Sequence, residues 1–140
     1  MKVVILFEPI DPKVKVAAAS VGIVDANGTL KSQWSAQPAG LARSPIAAAL
    51  LVTPGKYRVR VAVIDDMGAA GAVDYELDAQ LVDAPPIKLA SMLLGVSEQG
   101  KGFTPKMQFS RTDTMAVGLV ELYGVPKGAT TAARLNRGKR

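Results

Sequence analysis

The sequence contains no cysteine and no histidine. The first absence removes disulfides, a thiol nucleophile and thiolate metal ligation. The second removes the commonest general base and the commonest metal ligand together. Aromatic residues make up only 5% of the 140 positions, with a single tryptophan. A sugar-stacking cleft with a glycosidase carboxylate pair has little to be built from here. No serine begins an S-x-x-K motif, and neither a G-x-G-x-x-G nor a Walker phosphate loop occurs. No run approaches the roughly twenty apolar residues of a membrane-crossing helix. The apolar start at residues 3–7 is too short for a signal-peptide core and meets Glu8 and Asp11. No membrane span and no signal peptide are therefore read in this chain.

What is present is 49% hydrophobic residues, drawn mainly from Val, Ala, Leu and Ile. Branched side chains of this kind fit a pleated sheet. The net charge of +5 is not spread evenly. Residues 1–126 hold twelve Lys/Arg and twelve Asp/Glu, so the excess lies in Lys127, Arg134, Arg137, Lys139 and Arg140. Such a tail can touch phosphates, but no aromatic residue accompanies it. A basic, flexible tail over residues 127–140 is the simpler reading, with no nucleic-acid partner.

Patterning predicts strands throughout. Residues 2–8 are apolar on both faces, as in a strand covered on both sides or paired elsewhere. Residues 13–36 read as a hairpin around the turn at 25–28, with Trp34 as the core's large anchor. Residues 38–45 read as loop and 46–52 as strand. The clearest signal spans residues 54–81. Tyr57, Val59, Val61 and Val63 alternate with Arg58 and Arg60, and Val73, Tyr75, Leu77 and Ala79 alternate with Asp74, Glu76 and Asp78. This predicts a tight hairpin whose apolar residues all face a core. Residues 83–86 form the best internal break. Strands follow at 87–96, 103–111 and 115–125, with a turn at 97–102. Phe103, Phe109, Met92, Met107 and Met115 are expected to fill core space. Weak helical or disordered character is read over 129–140.

The expectation is an all-β antiparallel sandwich of about nine strands with no substantial helix. Residues 1–83 would form the sandwich. Residues 84–126 would either pack on it or begin a second β module.

The sharpest chemical candidate is the row Asp74, Glu76 and Asp78, with Asp65 and Asp66 in the adjoining loop. Oxygen ligands so clustered raise the possibility of a calcium site. The economical reading pairs residue 64 with 72, which places Arg60 opposite Glu76 and Arg58 opposite Asp78 as cross-strand partners. On that reading there is no catalytic, cofactor or metal site. A ligand-binding alternative would need an exposed aromatic platform, for which Trp34 is the candidate.

The stretch T-P-G-K-Y-R-V-R-V at 53–61, followed by I-D-D-x-G at 64–68, resembles an element of immunoglobulin-like and fibronectin-type-III-like domains. There a Pro-Gly turn enters the penultimate strand and a tyrosine packs inward at its start. The resemblance covers residues 13–83 and implies a sandwich fold without implying an activity. Together with residues 89–95 and 117–124, the chain also resembles the β-rich regions that follow von Willebrand factor A-like domains in large exported bacterial proteins. The D-x-S-x-S metal motif of those domains is absent. The resemblance implies a periplasmic or extracellular setting. The resulting expectation is a non-catalytic interaction or structural module, with a protein partner or self-association through exposed strand edges.

Overall fold

The computed structural model describes residues 1–97 and 102–134. They form twelve strands and a single helical turn: β1 (Lys2–Phe7), β2 (Val16–Val24), β3 (Leu30–Ser35), α1 (Pro38–Leu41), β4 (Ile46–Leu51), β5 (Gly55–Asp65), β6 (Ala70–Ala79), β7 (Val82–Ala84), β8 (Ile87–Leu89), β9 (Leu93–Ser97), β10 (Phe103–Pro105), β11 (Val117–Leu119) and β12 (Leu122–Tyr123). The fold is all-β, with every ladder antiparallel. The count exceeds the nine expected, because the apolar runs after residue 84 break into short pieces.

Two sheets build the main body. One has the order β3-β2-β5-β6, and the other is the pair β1-β4. Strict alternation explains how they meet. Ala19, Val21 and Ile23 of β2, Ile46, Ala48 and Leu50 of β4, and Tyr57, Val59 and Val61 of β5 are buried. The residues between them in β4 are exposed, as are Lys56, Arg58 and Arg60 in β5. Val3, Ile5 and Phe7 of β1 and Trp34 of β3 pack against this core from partly buried positions. Each fully buried Val or Ile contributes on the order of 1.5–3 kcal/mol through removal from water.

The two long hairpins close by the same device. In one, the Asp25 carboxylate accepts bonds from the Asn27 and Thr29 N–H groups, and Gly28 takes φ +77°. In the other, the Asp65 carboxylate accepts from Met67 and Ala69, and Gly68 takes φ +84°. Only three residues lie between Asp65 and Ala69, which is the loop in which a turn runs into a left-handed glycine. The second hairpin therefore closes two residues earlier than the sequence reading supposed. Ile64 pairs with Ala70, Arg60 with Asp74 and Arg58 with Glu76. The expected pairings of Arg60 with Glu76 and Arg58 with Asp78 are corrected accordingly.

Beyond β6 the chain forms two three-stranded sheets, β12-β8-β7 and β10-β9-β11. The break at 83–86 is the turn between β7 and β8. Of the strand expected over 103–111, only Phe103–Pro105 forms. A turn follows, in which Asp113 accepts from the Ser110 N–H and binds Lys106. Met92, Met107, Met115 and Phe109 are exposed rather than core fillers. This region meets the main body at β1: Tyr123 Oη accepts from the Lys2 N–H, and Glu121 pairs with Lys2 Nζ. Residues 98–101, most of the turn expected over 97–102, and the tail beyond 134 lie outside the described residues. Residues 129–134, within them, form no helix.

Candidate functional site

The carboxylate row does not converge. Arg60 takes Asp74 in a bidentate pair, Nε and Nη2 each 2.7 Å from a carboxylate oxygen. That pairing holds the Asp74 carboxyl below its ordinary range. Asp78 accepts from Gln80, and Asp65 is engaged by its own turn. Among the described residues, no group of three or more carboxylates is placed to share an ion. Trp34 is not an exposed platform either. It lies half-buried on the inner face, edge-on to Phe7 at 6.3 Å.

The unusual surface lies on the other side of the hairpin. Val73 pairs with Val61 and Tyr75 with Val59, so all four share the inner face of the sheet. Val59 and Val61 are buried, yet Val73 is 62% exposed and Tyr75 71% exposed. The expectation that Val73 and Tyr75 belong to the core is thus corrected. They face inward, but among the described residues nothing covers them. The two strands β1 and β4 face a sheet of four, and of β6 only Leu77 and Ala79 reach the core.

The backbone along this gap is also unpaired. The Met1 amino group donates to the Val52 carbonyl, and the Val52 N–H donates to Met1. In an antiparallel ladder such reciprocal pairs recur at every second residue. Val3, Ile5 and Phe7 therefore bond to β4, while Lys2, Val4 and Leu6 direct their N–H and C=O groups away from it. Tyr123 takes the Lys2 N–H. Among the described residues no second strand pairs with the outer edge of β1, where Val4 and Leu6 direct these groups.

Beneath this edge, at its Phe7 end, opens a cleft of about 410 Å³ lined by Phe7, Val16, Val61, Val63 and Val73, with Glu8 and Asp65 at its rim. No described lysine or arginine forms an ion pair with either acid. An unpaired strand edge above an apolar floor is chemically suited to bind an extended chain. The sequence carried one trace of this site, the two-faced apolar run at 2–8. Nothing in it marked Val73 and Tyr75 as uncovered. No family model, curated protein or solved structure matches this chain.

Proposed function

We propose that this chain is a non-catalytic β-sandwich interaction module of immunoglobulin-like arrangement, serving within a larger exported bacterial assembly. The observation that carries the reading is the uncovered inner face at Val73 and Tyr75 beside the unpaired edge of β1. Contiguous apolar surface of this kind on a folded domain marks an interaction site.

The strand order supports the immunoglobulin-like part. Immunoglobulin sheets pair B with E, and place C, F and G together with C′ beside C in the larger forms. Strands β1 and β4 take the places of B and E; β2, β3, β5 and β6 take those of C, C′, F and G. Tyr57 opens β5, and its hydroxyl donates to the Thr53 carbonyl at 2.8 Å. That bond matches the tyrosine corner at the start of strand F. Trp34 departs from the pattern, since it lies on β3 rather than on the C equivalent. The exported setting rests on the resemblance of residues 89–95 and 117–124. The lack of histidine and cysteine, and of any buried polar side chain among the described residues, supports a binding role over catalysis.

Panning a displayed peptide library on the wild type and on a Val73→Ser/Tyr75→Ser variant tests this. Both side chains are exposed, so the variant keeps its stability to within about 0.5 kcal/mol and loses the peptides that the wild type selects. Peptides indifferent to the double substitution, or a collapse of Tm, would overturn the reading.

A further inference from the structure

Resting on that reading, we infer that the free edge of β1 is a receptor for a single extended segment with a basic residue at its N-terminal end and apolar residues at alternate positions thereafter. The segment adds to the sheet antiparallel to β1, in the place that strand A occupies beside B.

Four observations define the occupant. First, Val4 and Leu6 present N–H and C=O groups outward with no strand opposite, which calls for backbone in extended form. Second, the cleft below is apolar, lined by Phe7, Val61, Val63 and Val73, so every second side chain of the segment must be apolar. Third, Glu8 lies one residue past the end of β1 and accepts a hydrogen bond from Ser44, and Asp65, its carboxylate held by its own turn, lines the same cleft. Neither has a cationic partner among the described residues. A segment antiparallel to β1 begins at that end, so its leading residue comes to Glu8, with the charge of Asp65 in the same cleft, and is Lys or Arg. Fourth, residues 70–73 of β6 line the cleft from the facing sheet, and a folded second copy offering its own β1 would bring a further four-stranded sheet to that same side. A lone strand meets no such obstacle. The β6 edge of the large sheet, by contrast, carries Asp74, Glu76 and Asp78 in a row. Charge of that density blunts strand addition.

The experiment is amide hydrogen exchange on the full chain, with blocked hexapeptides as probes. Lys-Val-Ser-Val-Ser-Val at millimolar concentration slows exchange at the Val4 and Leu6 amides at least tenfold. The Val3 and Ile5 amides, already bonded to β4, serve as internal references. The charge-reversed peptide Glu-Val-Ser-Val-Ser-Val binds several-fold more weakly, and Glu8→Lys inverts that preference. Four outcomes overturn the inference. No added protection with either peptide removes the receptor. Equal binding of both removes the basic requirement. Val4 and Leu6 amides that are slow without peptide at every protein concentration assign the slot to the chain's own segment. Slowing that appears only at high protein concentration assigns it to a second copy. If library peptides depend on Val73 and Tyr75 but leave Val4 and Leu6 unprotected, the interaction reading stands and this inference falls.

Discussion

Residues 1–81 and residues 82–134 are both made of antiparallel strands, yet only the first has an interior. Among the described residues, every buried apolar side chain lies between Ala19 and Ala79. In the second region the one buried residue among those described is Gly95, which has no side chain to bury. The difference follows from strand length. Strands β2, β4, β5 and β6 have six to eleven residues, long enough to set three or more inward positions against a facing sheet. Strands β7 to β12 have two to five, so their side chains reach one neighbour and then solvent. Apolar composition alone does not make a core; alternation sustained over enough residues does.

The largest test of this comparison is Ile23→Ala, set against Leu94→Ala. Ile23 is fully buried, and its truncation costs about 2–5 kcal/mol. Leu94 is exposed, and its loss stays within about 0.5 kcal/mol. Chemical denaturation measures both, and equal losses would break the contrast. Next is Gly95→Ala. A methyl there would run into the Thr104 backbone and lie 2.7 Å from the Phe103 ring. The cost is about 1–3 kcal/mol, seen as lost exchange protection in β9, β10 and β11 while the Ile23 amide is unchanged. Smaller again is Tyr57→Phe, which deletes the bond to the Thr53 carbonyl and about 0.5–1.5 kcal/mol of stability. Tyr123→Phe has less effect on Tm, but it frees the Lys2 amide and so sharpens how tightly the two regions are joined.

Acid titration gives the smallest effect. Asp74 and Glu121 have carboxyls held below their ordinary values, first by hydrogen bonds from Arg60 and Lys2 respectively. A lowered folded-state value means that the unfolded chain binds the proton first as pH falls. Their contribution is therefore complete above the ordinary carboxylate range. It declines as pH drops through that range and vanishes below the folded values. Asp74→Asn flattens this acid limb slightly, and an unchanged limb would show that the Arg60 pair adds nothing.

Much of the main body was legible in residue order. The alternation in residues 56–64 located β5 and its buried face. The Asp25 to Gly28 signal located the first turn, and residues 46–52 read correctly as strand. The hairpin register was missed because Asp65 and Gly68 form a three-residue loop, and small residues at 69–71 look like loop while belonging mostly to β6. The division of the later apolar runs was missed because each position there is as apolar as a strand requires, and only the lack of a facing sheet shortens them.

The sequence by itself determined which residues of each long strand are apolar and where two turns reverse the chain, because alternation and left-handed glycine are local properties. Which inward-facing residues would be covered was decided only in three dimensions. Val61 and Val73 sit opposite each other with the same side chain and the same facing. One is buried and the other open to water, because a two-stranded roof ends between them.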